Sequence, residues 1–489
     1  MATPVLEKGT VLDGFTIGDR VHKGGMAHLY AVTHPAHDIP MLMKVPVLHE
    51  GEDPAAIVSF EMEQMILPRL SGPHVPRFIA SGDFSVQPYV VFERIPGATL
   101  YARLPDLPLP PADVAAIGAK VAAALTDLHR QHVVHLDIKP SNIILREGSG
   151  EAVLIDFGLS HHAQLPDLMF EEFRLPYGTA PYMAPEQVCG IRTEPRSDLF
   201  ALGALLYFFA TGVRPFGDPQ TLKGLQRRVW WDPTPPRAMK SDIPPWLQEI
   251  ILRCLAPNPE VRHPTAAQLA FDLSHPDQVR LTPRAEKRAR DPWSARIKRR
   301  FHPDSYWPRL DRQKQVSAAV ETAPIVAVAI DLAESEEELV EALRTTVKRV
   351  LVTVPDARLA CLNVLKTNLL AIDQTLDKDG HNIHVQRLVE LKHWARGLDL
   401  PADRISYHVL EAVDATGAIL DYISSNAVDH IVLGARTSAM RNILGSVSGE
   451  IVHKAPCTVT VVRKSRAAMK AEASVSAAAS TPAYEREAL

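Results

Sequence analysis

No apolar run in the chain reaches the roughly 20 residues that a membrane-spanning helix requires. The nearest approach, LFALGALLYFFATGV from Leu199 to Val213, is too short and follows Arg196 and Asp198, so it reads as a buried core helix. Cysteine is scarce. The four residues, at 189, 254, 361 and 457, lie far apart with no C-x-x-C spacing, which argues against a disulfide framework or a zinc ribbon and leaves buried free thiols. Neither sign of charge dominates: 53 Lys and Arg stand against 57 Asp and Glu, a formal net charge of −4, so nothing in the balance drives the chain toward nucleic acid or anionic lipid. The first residues, MATPVLEKGTVLDG, lack a basic segment followed by an apolar core. No secretory signal is visible, and a cytoplasmic setting is the expectation.

What remains is ordinary for a folded chain: 489 residues, 46% hydrophobic and 22% charged, too long for one core. Over about residues 10–95, short alternating runs such as DGFTIGDRV, HLYAVTH and MLMKVPV predict half-buried antiparallel strands. One helix interrupts them, from about Asp53 to Leu67, its start marked by Pro54. From Pro111 to about Asp272 the pattern is mainly helical, with the Leu199 run at its middle. Residues 276–322 carry prolines at 276, 283, 292, 303 and 308 and the basic run RAEKRARDPWSARIKRR, and read as a linker, either solvated or docked on its neighbour. After Pro324, apolar strands alternate with helices (IVAVAID, RLACLNVLK, RISYHVLE, HIVLGA, TVTVVR), which predicts a parallel sheet covered on both faces. The tail over 466–489 has few large apolar residues and reads as disordered.

The most specific segment is HLDIKPSNIIL, His135 to Leu145, followed by DFG at Asp156 to Gly158. An acid, a cation two residues on and an amide three further can set a base, a phosphate-facing charge and a metal ligand on one loop. Around it, Lys44 sits in MLMKV, Glu63 in FEMEQM nineteen residues later, and YGTAPYMAPE spans Tyr177 to Glu186.

With these motifs in order, residues 10–275 resemble the eukaryotic-like bacterial Ser/Thr protein kinases. The resemblance implies a bilobal α+β fold, with an N-lobe over about 10–95 and a C-lobe over about 96–275. It implies transfer of the γ-phosphoryl of ATP, with Mg²⁺ or Mn²⁺, to Ser/Thr hydroxyls of proteins, autophosphorylation included. On that pattern Asp137 is the base, Lys139 the cation beside the transferring group, and Asn142 and Asp156 the metal ligands. Lys44 reaches the phosphates and Glu63 holds it; Thr179 lies near Asp137 and Lys139. Val21, Gly24, Gly25, Leu29, Leu42 and Phe92 surround the nucleotide, and the hinge from Glu93 to Ile95 receives adenine. Glu186 pairs with Arg262, and Asp198 holds the catalytic-loop backbone.

Two departures stand out. The Gly-rich pattern G-x-G-x-x-G has His22 at its first glycine and Ala27 at its third, so only Gly24, followed by Gly25, gives the backbone close access to phosphate. Leu136 stands where regulated members carry an arginine that grips a phosphorylated activation segment, and the segment's middle, LPDLMFEEFRLP, has no Ser or Thr. Ser160 and Thr179 are its only Ser/Thr sites. The expectation is a kinase that does not depend on activation-segment phosphorylation; the rival reading, which His22, Ala27 and Leu136 motivate, is a pseudokinase scaffold.

Residues 323–465 resemble the universal stress protein family, through VAVAID, DHIVLGAR and ILGSVSGEIVHKAPCTVTVV. The resemblance implies an α/β Rossmann-like fold. Gly434, Gly445 and Ser446 match its phosphate loop and Asp331 its nucleoside-facing acid, while Thr437 replaces a glycine and the spacing to Gly445 is two residues short. Both a nucleotide-binding unit and a dimerising one, paired through the last strand at Thr458–Val462, stay open. The histidine pairs at 34 and 37 and at 161 and 162 have no third ligand nearby in the sequence and are not read as metal sites.

Overall fold

The computed structural model describes residues 6–47, 54–173, 176–301, 324–332, 337–367, 382–401, 404–435 and 446–463. The chain divides into two units, Met1–Thr322 and Ala323–Leu489.

The first unit opens with a six-stranded antiparallel sheet of β1 (Val11–Leu12), β2 (Phe15–Lys23), β3 (Ala27–His34), β4 (His37–Pro46), β5 (Phe78–Gly82) and β6 (Tyr89–Glu93), ordered β1-β2-β3-β4-β6-β5. Side chains alternate between its faces. Tyr30, Val32, Met41, Met43, Tyr89 and Val91 bury one face together with Phe15 and Ile17. The register pairs Leu29 with Lys44, Ala31 with Leu42 and Leu42 with Phe92, so these five share the opposite face. Helix α1 (Pro54–Ile66) has proline at its first position, where the absent N–H has no intrahelical partner to lose. It buries Ile57, Phe60, Met62, Glu63 and Ile66.

The rest of the unit is mainly helical: α2 (Pro111–Arg130), α3 (Leu168–Glu172), α4 (Pro185–Val188), α5 (Arg196–Thr211), α6 (Leu222–Gln226), α7 (Pro236–Met239), α8 (Pro245–Cys254), α9 (Ala266–Ser274) and α10 (Trp293–Phe301). The apolar run at Leu199 is α5, packed between α2 and α8 and closed by Gly212 at φ 77°, a left-handed C-cap. No helix among the described residues is long and apolar enough to cross a membrane. Short strands frame the loops between α2 and α4: β7 (Gly97–Thr99), β9 (Ile143–Arg146) and β10 (Ala152–Leu154) in one sheet, β8 (Val133–Val134) and β11 (His161–His162) in another.

Part of the stretch read as a linker is docked on this unit. The buried Gln248 amide donates to the carbonyls of Arg284 (2.7 Å) and Lys287 (3.0 Å), and the buried Glu249 carboxylate accepts from Thr282 and pairs with Arg284 at 3.2 Å. In α10, Arg299 pairs with Asp232 and Asp291, Arg296 lies over the Trp231 ring at 4.3 Å, and Arg300 over Trp230 at 5.3 Å.

The second unit is a five-stranded parallel sheet of β12 (Ile325–Ala329), β13 (Arg358–Lys366), β14 (Ile405–Ala412), β15 (His430–Gly434) and β16 (Thr458–Val462), ordered β14-β13-β12-β15-β16. Helices α11 (Glu337–Thr353), α12 (Ile383–Ala395), α13 (Ala415–Ser425) and α14 (Ser446–Lys454) accompany it. Ala327, Ala360, Leu362, Ile431 and Leu433 pack against Ile419, Tyr422 and Ile423 of α13 and Ile451 of α14. Helices α11 and α12 pack on the strands as well, and Trp394 Nε1 ties them by donating to Val340 O at 3.2 Å. Strand apolarity without alternation, as the sequence reading required, follows from cover on both faces.

Candidate active site

The cleft face of the sheet brings Lys44 to two acids. Its ammonium lies 2.5 Å from Glu63 Oε2 on α1 and 2.9 Å from Asp156 Oδ1 in the loop after β10. Burial alone would lower the lysine's pKa, but Asp156 and Glu63 outweigh it and raise it. In turn the Lys44 charge draws Asp156 down to about 2. Asp156 has φ 69°, a left-handed conformation that L side chains rarely adopt.

A second loop, between β8 and β9, carries Asp137. Lys139 Nζ lies 2.6 Å from its Oδ2, and Asn142 Nδ2 donates to its Oδ2 and to its backbone carbonyl, both at 3.0 Å. Its Oδ1 accepts the Thr179 hydroxyl at 2.6 Å and the Thr179 N–H at 3.1 Å, while Lys139 also reaches Thr179 Oγ1 at 3.1 Å. One buried acid holds this loop. The Asp198 carboxylate accepts the amides of His135 (2.9 Å) and Leu136 (2.8 Å) and faces His129 Nε2 at 2.9 Å, which sustains Leu136 at φ 63°. Downstream, Glu186 and Arg262 form a two-point pair at 2.5 and 2.8 Å with both side chains fully buried.

The protein kinase domain family matches residues 15–272, and the universal stress protein family matches residues 324–463. The chain belongs to the protein kinase family. It is 32% identical to the serine/threonine-protein kinase PknB of Mycobacterium leprae over 270 residues, 53% of this chain and 42% of PknB. It is 29% identical to the serine/threonine-protein kinase PknL of Mycobacterium tuberculosis over 269 residues, 55% of this chain and 67% of PknL. The match to PknB thus spans less than half of that relative's length. The crystal structure of the Mycobacterium tuberculosis PknI kinase domain aligns over 55% of this chain and 99% of its own, at 24% identity and a TM-score of 0.44.

Within the kinase cleft, the Gly-rich hairpin closes through the Gly24 N–H on Ala27 O at 3.0 Å, and a Cβ at Gly24 would meet that same oxygen at 2.8 Å. Gly24 is required by the turn; Gly25 has open space around it. His22 is exposed on β2, and Val21 beside it is 47% exposed. Leu29 and Leu42 are half-buried on the Lys44 face. At the hinge, Phe92 is half-buried, Ile95 buried, and the Glu93 carboxylate turns to Arg146 at 3.0 Å.

In the stress-protein unit, Asp331 lies two residues past the end of β12 and Gly434 ends β15, two adjacent strands at the point where strand order reverses. Gly445 lies outside the described residues, as does the Ser446 side chain, although Ser446 begins α14.

Two long-range pairings were not read from the sequence, Gln187 with Leu136 and Asp167 with Arg192. The buried Gln187 amide donates to Leu136 O at 2.8 Å and accepts Ala184 N–H at 2.8 Å, joining the stretch after Thr179 to the loop that carries Asp137. Asp167 meets Arg192 at 2.7 Å. Gln187 follows the recognisable A-P-E motif and its position was a usable signal; nothing local marks Asp167 or Arg192.

Proposed function

We propose that the chain is an ATP-dependent Ser/Thr protein kinase whose transfer step is built on Asp137, Lys139, Asn142, Asp156, Lys44 and Glu63. One observation carries the reading: a hydroxyl, that of Thr179, already sits 2.6 Å from Asp137 Oδ1 with Lys139 within 3.1 Å. A protein hydroxyl entering beside it meets the same acceptor and cation. Asp137 takes the hydroxyl proton as the oxygen bonds to the γ-phosphorus and the bond to the β-phosphate oxygen breaks, leaving ADP. Lys139 offsets charge on the transferring group, and Lys44, fixed by Glu63, holds the other phosphates.

The oxygen donors fit a hard divalent cation. Asn142 and Asp156 supply a carboxamide and a carboxylate, a set that suits Mg²⁺ or Mn²⁺ completed by phosphate oxygens. Among the described residues, no cluster of three or more His, Cys, Asp or Glu forms an all-protein metal cage. Such an ion neutralises phosphate charge when bound; Asn142 and Asp156 would hold it. Val21, Leu29, Leu42 and Phe92 line the adenine side, with Glu93 to Ile95 as hinge.

The finer reading is a kinase of the cytoplasm that phosphorylates itself and other proteins without needing a phosphate on its activation segment. Ser160, fully buried with its hydroxyl donated to His135 O, supports this. The stress-protein unit serves as a sensor or self-association module through β16, an edge strand of its sheet, with Asp331, Gly434, Gly445 and Ser446 as its nucleotide-facing residues if it takes ATP. Nucleic acid is not an expected partner.

The test is transfer of labelled γ-phosphate by the full chain with Mg²⁺ or Mn²⁺, beside Asp137→Asn and Lys44→Met. Transfer lost in both variants supports the reading. Nucleotide binding without transfer favours the pseudokinase scaffold, and equal transfer in all three marks a contaminant. Sizing the full chain with and without ATP tests the second unit.

A further inference from the structure

The activation segment is fastened by a carboxylate. Asp167 caps α3 by accepting the Phe170 N–H at 3.2 Å through Oδ1. Its Oδ2 receives Arg192 Nε at 2.7 Å and His161 Nδ1 at 3.1 Å. The same guanidinium donates to Leu159 O at 3.0 Å and Ser160 O at 3.4 Å, directly after the loop that carries Asp156. All three side chains are nearly covered, at 11–13% exposure. Helix α3, with Leu168 and Met169 buried, packs against α1, the helix that carries Glu63.

One acid therefore links the start of the segment, its helix α3 and the loop after α4. A phosphate in such a position works by offering oxygen acceptors to guanidinium groups and ordering the segment around them. Here the grip on Leu136 is missing, since leucine has no cation, and no phosphate-accepting Ser or Thr lies between Ser160 and Thr179. Ser160 is buried, and the Thr179 hydroxyl is spent on Asp137.

We propose that Asp167, gripped by Arg192 and His161, is a built-in latch that holds the activation segment in its transfer-competent arrangement in place of an added phosphate. Asp167 and Arg192 are positioning residues. The proposal rests on the kinase reading above and deepens it, by naming what replaces the missing regulatory charge. Burial alone would raise the Asp167 pKa, but Arg192 and His161 hold its carboxyl well below the usual range, so the latch is charged at neutral pH. Unlike a phosphate, it cannot be removed by a phosphatase.

The test uses the full chain, phosphatase-treated, with Asp167→Asn, Arg192→Gln, the double variant and Asp167→Glu. The readouts are transfer to a Ser/Thr peptide library and amide hydrogen exchange. Asp167→Asn and Arg192→Gln each lower kcat by roughly one to two orders of magnitude, with KM for ATP little changed. The double variant falls no further than the worse single, because both break one contact. Exchange protection drops over 159–173 while α5 stays protected, and Asp167→Glu, which keeps the charge, recovers most of both. Unchanged protection over 159–173 in Asp167→Asn overturns the latch, as does a loss spread evenly over the whole unit. So does wild-type transfer that disappears on phosphatase treatment. If the wild-type chain transfers nothing under any condition, the kinase reading fails, and the exchange readout still decides whether Asp167 orders the segment.

Discussion

Gly158 lies flush against Ser59: a Cβ on the glycine would sit 2.2 Å from Ser59 Oγ and 2.8 Å from Ser59 O. Ser59 is one helical turn before Glu63, so the two side chains share a face of α1. The loop that carries Asp156 and the helix that carries Glu63 can therefore both reach Lys44 only because the residue between them has no side chain.

Gly158→Ala should push α1 outward and stretch the Lys44–Glu63 contact of 2.5 Å. The expected loss of transfer is on the order of 100-fold, the cost of an ångström-scale misplacement. Adding Ser59→Ala should recover part of it and not all, since the Ser59 carbonyl stays in the way. Full recovery, or no loss in Gly158→Ala, would show that the close approach does not set the position of α1.

Arg262→Met should unfold the kinase unit at a much lower temperature. The variant leaves Glu186 buried with only the Ser197 hydroxyl, at 2.7 Å, as a neutral partner, and it removes the guanidinium stacked 5.0 Å from the Phe200 ring centre. Breaking a buried pair from one side costs about 3–5 kcal/mol, equivalent to a Tm drop of roughly 6–20 °C in a unit of this size. Thermal unfolding measures it; a shift of only about 1–2 °C would mean the pair contributes little.

The elements that the sequence displayed are those governed by local period and local punctuation. The helix expected from Asp53 to Leu67 spans Pro54–Ile66, and the strands RLACLNVLK and TVTVV fall on β13 and β16. The candidate site residues were named one by one because their types recur in a family order. What stayed hidden is long-range pairing. Asp167 meets Arg192 across 25 residues, and Gln187 meets Leu136 across 51; period and propensity carry no information about such partners. Docking of residues 282–301 was equally hidden, because a basic, proline-rich stretch has the same composition whether solvated or held by ion pairs.

Acid should weaken the kinase unit through His162. The residue is buried, and its Nδ1 accepts the Gln164 N–H at 3.0 Å, so protonation there breaks a hydrogen bond. Burial, with Arg69, His161 and His132 nearby, lowers its pKa to about 4 from an ordinary value of 6.5. Between those pH values the unfolded chain binds a proton that the native one does not. Stability is therefore intact above about pH 6.5, falls as pH drops toward 4, and levels off below. The effect is on the order of 2 kcal/mol. His162→Asn, whose carboxamide oxygen can accept the same N–H, should flatten the slope in denaturant titrations at pH 7, 6, 5 and 4. An unaltered slope would assign the acid sensitivity elsewhere.

Ending the chain at residue 275 should destabilise the kinase unit relative to ending it at 301. Residues 282–287 are the partners of two fully or nearly buried polar side chains: Gln248 donates to three of their carbonyls, and Glu249 binds Thr282 and Arg284. Their removal leaves a carboxylate and an amide that must take water into a packed site or stay unpaired, a cost of about 3 kcal/mol or more. The effect should reach substrate binding as well. Helix α10 rests on Trp230 and Trp231, and Arg228, just before them, donates to Met183 O, four residues after the Thr179 that meets Asp137. The shorter chain should thus show a lower denaturation midpoint and a raised KM for protein substrate, with KM for ATP little moved. Glu249→Gln in the chain ending at 301 should reproduce part of the stability loss without the change in KM, since it leaves α10 in place. Equal midpoints for the two lengths would mean that residues 276–301 lie on the unit without supporting it.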